Sequence, residues 1–458
     1  MFASIKKLHF VGIGGSGMSG IAEILLDQKF QVSGSDKNLN EVTIRLEKLG
    51  AKVFEGHSKN NVENDVDVVV YSSAVPFDNE EIIEAQKRKI PVIRRAEMLA
   101  EVMRLKYGIG VAGTHGKTTT TSMIGLVLLE GSLDPTVIVG GRLHSFGGTN
   151  ARLGKGDFIV VEADEFDRSF LSLTPTIAVL TTLDTDHLDT YRDLEDIKLA
   201  FIQFANKVPF YGFVTLCLDE TSLQDIMIHL KKKKVVSYGL NPQADVQAVD
   251  IIYKENKTDF TVLKNNLEIG KISLNTIGVH NVQNALASIS VALELKIPFE
   301  KIKSGIEKFQ GVYRRWEKKG EVNRITLYDD YAHHPTECRA TLLGAKNSFK
   351  RRIVCVFQPH LFSRTRDFYE EFGKAFLLSD VLVVTDIYPS REEPIQGITG
   401  ELISNAAKEF GHKDVHYVKD KKEVANYLLK IVREKDVVIT MGAGDIYKFG
   451  EEFLNKLK

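Results

Sequence analysis

The sequence predicts an α/β protein with three consecutive domains, each built on a largely parallel sheet. The chain has 458 residues, enough for about three domains of ordinary size. Short apolar runs of strand length alternate with helical patterns, which is typical of parallel sheets. Two glycine-rich turns, near residues 12 and 113, each follow an apolar run. We place the boundaries near residues 105 and 312, which gives the domains 1–105, 106–312 and 313–458.

Composition limits the classes of function. Apolar residues make up 43% of the chain and charged residues 26%, so each domain can bury a core. Sixty basic and 61 acidic residues leave a formal charge of −1, which argues against nucleic acid or an acidic membrane surface as a partner. The one basic cluster, Lys231–Lys234, is expected to be a solvated turn.

The expected location is the cytoplasm. Three widely spaced cysteines, Cys217, Cys338 and Cys355, argue for a reducing compartment and against a disulfide framework. The apolar stretch near the amino terminus is interrupted by glycines, so it is interpreted as a buried strand and not as a secretory signal. No stretch reaches the roughly 18 apolar residues of a membrane helix.

The first glycine turn follows an apolar strand and matches the dinucleotide fingerprint. The segment Gly12–Gly17 has the spacing G-x-G-x-x-G, a helix is expected from about Ser19, and Asp36 ends the next strand at about the interval of a ribose contact. Alone, this pattern would indicate an NAD-dependent dehydrogenase. A second phosphate loop in the same chain favours the diphosphate of another nucleotide.

The second glycine turn, Gly113-Thr-His-Gly-Lys-Thr-Thr, follows the strand predicted at Tyr107. Backbone N–H groups of such a turn, together with a helix N-terminus, bind phosphate oxygens. Lys117 would lie against the transferring phosphates and Thr118 would offer its hydroxyl to Mg²⁺. Only two residues separate Gly113 from Gly116, fewer than in the common phosphate loop. The chemistry nevertheless predicts a triphosphate site.

Acidic and polar groups end the next two predicted strands. Glu162–Asp167 follows a strand at 158–162, and a second strand at 177–182, expected to lie next to the first in the sheet, leads to His187. Carboxylate oxygens at a strand end can complete a Mg²⁺ shell with a hydroxyl and phosphates. The alternative for either segment is a solvated loop. If both strands end beside the Lys117 loop, they form one metal and phosphate site.

In the third block, polar groups again follow strands. Asp329–Pro335 comes after one strand, and 357–366, which contains Arg364, comes after the next. Ligands of open α/β sheets lie at such strand ends, and a guanidinium can bind a carboxylate with two hydrogen bonds. This pattern predicts a small carboxylate-bearing substrate. The turn Gly442–Asp445 is either part of that site or simple topology.

In their order along the chain, these motifs resemble those of the Mur ligases of peptidoglycan synthesis, over essentially the whole length. That resemblance implies a Rossmann-like first domain that binds a UDP-sugar, a central P-loop ATPase-like domain with a parallel sheet, and a Rossmann-like third domain that binds an amino acid. The cofactors it implies are ATP and Mg²⁺. The implied catalytic residues are Lys117, His187 and Arg315.

The resemblance also implies sets of binding residues. For ATP the set is Gly113, Thr114, His115, Gly116, Lys117, Thr118, Thr119, Asn281, Arg315 and Asp330. For the UDP-sugar it is Gly12, Gly14, Gly15, Ser16, Gly17, Asp36 and Ser73. For the metal it is Thr118, Glu162 and His187. For the amino acid it is Tyr331, His333 and Arg364.

Within the family, the segments at 11–22, 330–335 and 357–360 are similar to the member that uses L-alanine. This implies ATP-dependent ligation of L-alanine to the lactyl carboxylate of UDP-N-acetylmuramate through an acyl phosphate. The alternatives are a ligase that adds a recycled peptide to the same UDP-sugar, an NAD-dependent dehydrogenase, or a non-catalytic nucleotide-binding switch. Two residues depart from the family pattern: Phe166 replaces a small residue, and Leu361 replaces a commonly basic one.

Overall fold

A computed structural model of the protein describes residues 5–72, 74–143, 149–185, 190–390 and 392–458. The chain forms two compact units. One comprises 1–248, 262–270 and 283–308, and the other comprises 249–261, 271–282 and 309–458. In the described residues, no helix is both long enough and apolar enough to cross a membrane.

The amino-terminal sheet is fully parallel. Its strands are β1 (Lys7–Val11), β2 (Gln31–Asp36), β3 (Lys52–Glu55), β4 (Val68–Tyr71) and β5 (Val92–Arg94). They are arranged in the order β3-β2-β1-β4-β5, so the first strand is central and carries the glycine turn. The connecting helices are α1 (Ser16–Asp27), α2 (Glu41–Lys48), α3 (Glu80–Lys87) and α4 (Arg95–Met103). This order is that of a Rossmann-like sheet.

The second sheet contains ten strands in the described residues. They are β6 (Tyr107–Ala112), β7 (Thr136–Leu143), β8 (Thr149–Arg152), β9 (Phe158–Ala163), β10 (Ile177–Leu180), β11 (Phe213–Cys217), β12 (Lys234–Gly239), β13 (Val246–Lys254), β14 (Lys257–Lys264) and β15 (Leu267–Leu274). Their order is β15-β14-β13-β12-β11-β10-β6-β9-β7-β8. Its helices are α5 (Lys117–Glu130), α6 (Leu194–Asn206), α7 (Thr221–Met227), α8 (Val279–Glu294) and α9 (Phe299–Glu307).

The third sheet has six strands in the order β16-β17-β21-β18-β19-β20. They are β16 (Glu317–Val322), β17 (Ile325–Asp330), β18 (Ile353–Phe357), β19 (Val381–Thr385), β20 (Val415–Val418) and β21 (Val437–Met441). Only β16 pairs antiparallel, at one edge. The helices are α10 (Pro335–Ser348), α11 (Phe362–Phe376), α12 (Glu401–Glu409), α13 (Val424–Ile431) and α14 (Ile446–Lys456). Strands buried along their whole length explain the continuous apolar runs in the sequence.

The fold class predicted from the sequence is confirmed, while the exact domain boundaries stay a prediction. The strands predicted at 158–162 and 177–182 agree with β9 and β10 to within two residues at each end. The first helix begins at Ser16, three residues before the predicted start. It does so because the glycine turn leads directly into the helix.

Candidate active site

The second glycine turn connects β6 to α5, and the backbone conformation at two of its positions requires glycine. Gly113 has φ +150° and Gly116 has φ +83°, values that L side chains rarely adopt. A Cβ on Gly116 would lie 2.5 Å from Oδ1 of Asn284. Lys117 is the first residue of the helix, so the free N–H groups of the first helical turn adjoin the loop. This is the phosphate-binding geometry that the sequence predicts.

The end of β10 holds this loop in place. The backbone N–H of Thr114 donates to the carbonyl of Thr182 at 3.1 Å, and that of His115 donates to Oγ1 of the same threonine at 2.8 Å. The ring of His115 lies 3.3 Å from Oδ2 of Asp184, and the N–H of Asp184 donates to the Thr114 hydroxyl at 2.9 Å. The loop is therefore preorganised by its neighbour strand.

The ammonium group of Lys117 is paired with a carboxylate. Its Nζ donates to both oxygens of Glu165, at 2.8 and 2.7 Å, and to the carbonyl of Gly113 at 2.7 Å. The Glu165 side chain is 2% exposed. Burial lowers the pKa of Lys117, but the Glu165 and Asp164 carboxylates outweigh burial and raise it. Lys117 therefore carries a positive charge beside the loop because of its contact with Glu165. The sequence prediction assigned no role to this glutamate.

The Glu162 carboxyl has the character of a metal ligand. Its side chain is partly buried, its Oε1 atom is fully buried, and none of the described residues forms a hydrogen bond with that atom. Burial raises its pKa, although bonds from the Thr118 side chain and the Gly140 backbone oppose the increase. A buried carboxylate oxygen beside a threonine hydroxyl suits Mg²⁺, which takes oxygen ligands. The third predicted ligand, His187, lies outside the described residues.

The strand order corrects one detail of the predicted metal site. The sequence placed the strand leading to His187 next to the strand of Glu162. In the structure β6 lies between them, paired with β9 on one side and β10 on the other. Both carboxyl ends still flank the Lys117 loop, because parallel neighbours of one strand end at the same edge of the sheet.

The first glycine loop is fixed by the end of β2. The N–H groups of Gly12 and Ile13 both donate to the carbonyl of Ser35, at 2.8 and 2.9 Å. The Gly14 N–H donates to Oδ2 of Asp36 at 2.8 Å. This carboxylate, predicted as a ribose contact, therefore bonds to the loop itself. Among the other predicted contacts, Gly15 and Gly17 flank Ser16 at the start of α1, and Ser73 lies outside the described residues.

A cation beside this loop was missed in the sequence. A Cβ on Gly17 would lie 2.6 Å from Nη1 of Arg95, so the guanidinium approaches the first turn of α1. None of the described residues forms a hydrogen bond or ion pair with the Arg95 side chain. It lies 78 positions along the chain from Gly17 and in no recognised motif, so only the tertiary fold reveals it. A guanidinium beside a helix N-terminus suits a diphosphate.

In the carboxyl-terminal unit, the three predicted amino-acid ligands contribute to one cluster. The rings of Tyr331 and His333 are 5.2 Å apart, and that of His360 is 5.8 Å from His333. Tyr388 stacks on His360 at 5.9 Å. Arg364 is buried and lowers the pKa of His333 through its charge. His360 and Tyr388 extend the predicted set, and Tyr388 lay outside every motif.

The surroundings of His333 and Asp330 shift the pKa values of both side chains. Burial, together with Arg364 and Arg315, lowers the pKa of His333 to about 3, so this ring is neutral at physiological pH. Its Nδ1 lies 2.9 Å from the Tyr331 carbonyl, to which a neutral ring donates. Burial raises the pKa of Asp330 to about 6, against the lowering effect of Arg315. Asp330 accepts bonds from the backbone of Trp316 and Ala332, at 2.9 and 2.8 Å.

The strand order of the third sheet differs from the sequence prediction at one pair of strands. The sequence took the strands before Tyr331 and Arg364 as neighbours, but β21 lies between β17 and β18. The turn at 442–445 therefore lies between the two loops. Arg314 holds it: its guanidinium donates to the carbonyls of Gly442 and Gly444, at 2.6 and 2.9 Å, and to Asp329 at 2.9 Å. Arg314, and not its neighbour Arg315, therefore fixes the position of this turn.

The sequence analysis also singled out Arg315, Asn281 and Leu361, and the structure shows the surroundings of each. The Arg315 side chain is about one third exposed and lies 3.3 Å from a Glu337 oxygen. Asn281, predicted to contact ATP, is buried, and its amide donates to the carbonyl of Ile277 at 2.8 Å. Leu361 has φ +72°, an unusual conformation for leucine, at the start of α11. This unusual backbone directly precedes the helix that carries Arg364.

Comparison with known proteins defines the class. Residues 7–107 match the catalytic domain of the Mur ligase family, 111–292 match the Mur ligase middle domain, and 314–444 match the Mur ligase glutamate ligase domain. The chain belongs to the Mur ligase family.

Several relatives that match over their full length carry the name of one ligase of this family. The UDP-N-acetylmuramate–L-alanine ligase of Geotalea uraniireducens is 56% identical over 458 residues, which are 100% of this chain and 99% of that protein. The ligase of the same name from Geobacter sulfurreducens is 52% identical, with 100% and 99% covered. The crystal structure of the UDP-N-acetylmuramate–alanine ligase of Thermotoga maritima is 30% identical, with a TM-score of 0.81 and 98% of each chain covered. A murein peptide ligase from Psychrobacter arcticus is 25% identical, with a TM-score of 0.69, and the match covers 99% of this chain and 98% of that one.

Proposed function

We propose that this protein ligates L-alanine to the lactyl carboxylate of UDP-N-acetylmuramate, with ATP converted to ADP and phosphate. The observation that carries this proposal is the 51–56% identity, over nearly the whole chain, to relatives that bear this activity in their names. The two separate phosphate loops support it, because the reaction needs one site for a sugar nucleotide and another for ATP. A dehydrogenase would need only the first.

The reaction has two steps. The substrate carboxylate attacks the γ-phosphorus of ATP, which forms an acyl phosphate and releases ADP. The amine of L-alanine then attacks the acyl carbon, phosphate leaves, and the nitrogen loses a proton to give the amide. Carboxylate and triphosphate repel each other, so positive groups must hold them in line.

In this proposal Lys117 supplies the first of these positive groups. Its ammonium lies at the mouth of the loop, 2.7 Å from the Gly113 carbonyl, and remains charged because of Glu165. A fixed cation that meets charge as it develops on the phosphoryl oxygens lowers the barrier without costly rearrangement. The loop N–H groups at the start of α5 hold the remaining phosphate oxygens. Arg315 is assigned to a phosphate of ATP, and Asn281 to adenine, on the resemblance.

Glu162, Thr118 and His187 are assigned to Mg²⁺. The unpaired buried oxygen of Glu162 is the observation that fits a cation. When bound, Mg²⁺ neutralises triphosphate charge and orients the γ-phosphoryl group. The protein's part is to keep the Glu162 carboxylate and the Thr118 hydroxyl at one point beside the loop.

Tyr331, His333 and Arg364 are assigned to L-alanine. Arg364 is the buried cation of the cluster and the group suited to the α-carboxylate. Neutral His333, whose Nδ1–H donates to the Tyr331 carbonyl, has an unprotonated Nε2 that can accept a hydrogen bond from the attacking amine. The glycine loop at Gly12–Gly17, with Arg95, is assigned to the diphosphate of the UDP-sugar. The expected location is the cytoplasm, where these substrates are used.

The deciding experiment is ADP release from the purified protein with UDP-N-acetylmuramate and one amino compound at a time. We expect turnover with L-alanine and far less with a recycled tripeptide. Turnover with the tripeptide alone would assign the protein to the peptide-adding branch. Calorimetry with NAD in place of the UDP-sugar is the control, and tight NAD binding without UDP-sugar binding would contradict the assignment of the first domain.

A further inference from the structure

A buried polar network lies beneath the first glycine loop, and the proposed mechanism does not use it. Its central residue is Glu81 on α3, which is fully buried together with His9, Ser33 and Ser35. Buried carboxylates are uncommon in proteins unless hydrogen bonds and charges compensate for the lost water. The network is therefore costly to maintain, and its connections indicate what it does.

Four groups from three segments surround the Glu81 carboxylate. Ser35 Oγ donates to Oε2 at 2.6 Å, and Nε2 of His9 lies 3.3 Å from the same oxygen. Asn61 Nδ2 and the Ser58 N–H donate to Oε1, at 2.6 and 3.1 Å. Burial raises the pKa of Glu81, but bonds from His9, Ser35 and Asn61 outweigh it and lower the pKa. Glu81 is therefore ionised, with donors on both oxygens.

Ser35 links this carboxylate to the glycine loop. Its carbonyl accepts the two loop N–H groups of Gly12 and Ile13. Its hydroxyl donates to Glu81 and lies 3.0 Å from Nδ1 of His57. The backbone that shapes the loop and the side chain held by Glu81 thus belong to one residue.

We propose that Glu81 is a positioning residue for the sugar nucleotide: by fixing Ser35, it sets the loop backbone that receives the diphosphate. This proposal rests on the proposed function, because it takes that loop as the UDP-sugar site. An amide at position 81 would present an NH₂ group to donors on one side, since only one of its two heteroatoms accepts. If the NH₂ group faced Asn61, that bond would be lost. If it faced Ser35, the hydroxyl would have to turn and accept, and the bond that it now donates to a carboxylate would be lost, with almost no change in volume.

The test is a steady-state comparison of Glu81→Gln with wild type for all three substrates. We expect the KM for UDP-N-acetylmuramate to rise about tenfold, the effect of one lost hydrogen bond to a charged group. The KM values for ATP and L-alanine should stay within about twofold, because their sites do not depend on this loop. Glu81→Asp keeps the charge and should recover part of the loss. Ser35→Ala removes the same hydrogen bond and leaves the carboxylate in place, so it should also raise the KM for UDP-N-acetylmuramate. This variant tests the proposal if Glu81→Gln fails to fold.

A matched control is Glu23→Gln. Glu23 is also a buried carboxylate of the first domain; it is 4% exposed and pairs with Arg45 at 2.8 Å, and no contact joins it to Ser35 in the described residues. This variant removes a buried carboxylate and its ion pair from the same domain, and it should leave the UDP-sugar KM unchanged. If it raised that KM as much as Glu81→Gln does, general destabilisation would explain both and the proposal would be overturned.

Gly15→Ala separates failure of this proposal from failure of the loop assignment. Gly15 has φ −64°, and a Cβ there meets nothing closer than 3.4 Å, so the fold tolerates it. The methyl group would still obstruct a diphosphate, so we expect a raised UDP-sugar KM. If Gly15→Ala raised it while Glu81→Gln and Ser35→Ala did not, Glu81 would have no positioning role. If none of the three changed it, the loop would not be the UDP-sugar site, and this inference would fail with that assignment.

Discussion

Replacing Lys117 by alanine should impair both catalysis and stability. The second effect follows from the structure: Lys117 Nζ bonds to both oxygens of Glu165, a side chain that is 2% exposed. Removing one partner of a buried ion pair costs about 3–5 kcal/mol. Because the lysine itself is 16% exposed, we take the lower limit, about 3 kcal/mol. With an m value of about 3 kcal/mol/M, the urea midpoint should fall by about 1 M.

The double variant Lys117→Ala/Glu165→Gln separates these effects. The neutral amide removes the carboxylate charge that Lys117 balanced, so most of the lost stability should return. Ligation should not return, because the cation that meets the γ-phosphoryl group is still absent. Urea unfolding gives the stability, and ADP release with saturating substrates gives the activity.

Two results would refute this reasoning. A single variant with a wild-type urea midpoint would show that the Lys117–Glu165 pair does not form as described. Turnover within about threefold of wild type would remove Lys117 from the transferring phosphates.

Three further predictions concern the other groups of the site. Glu162→Gln should raise the Mg²⁺ concentration needed for half-maximal activity, since it removes the charge of a buried ligand; an unchanged Mg²⁺ titration would exclude it from the metal shell. Arg364→Lys keeps the charge but loses the planar fork, so the KM for L-alanine should rise far more than that for ATP; equal shifts would move the carboxylate contact elsewhere. Asp330 has a pKa of about 6 when folded and about 3.8 when unfolded, so its carboxylate destabilises the folded protein progressively as pH rises from about 4 to above 6. Asp330→Asn should therefore gain stability relative to wild type over that range in urea unfolding, and a difference independent of pH would contradict the raised pKa.

The order of chain segments and the strand–turn–helix form of the two glycine turns could be predicted from the sequence because they are local. A strand, a glycine that must adopt positive φ and a helix start follow one another within about ten residues, and their geometry depends on near neighbours. Gly113 and Gly116 both have the positive φ that such a turn needs. The same holds for the buried strands, where apolar residues fill both faces of a parallel sheet.

Which segments become neighbours was decided only by the tertiary structure. The sequence could not show that β6 lies between β9 and β10, nor that β21 lies between β17 and β18. Pairing partners are chosen by the packing of whole layers, and they leave no local signal. The same limit hid Glu165 opposite Lys117, 48 residues away, and Glu81 beside His9, 72 residues away. A carboxylate in a solvated loop and one that holds a buried network have the same sequence signature, because burial and hydrogen-bond partners, which set its pKa and its role, arise only when distant strands and helices pack together.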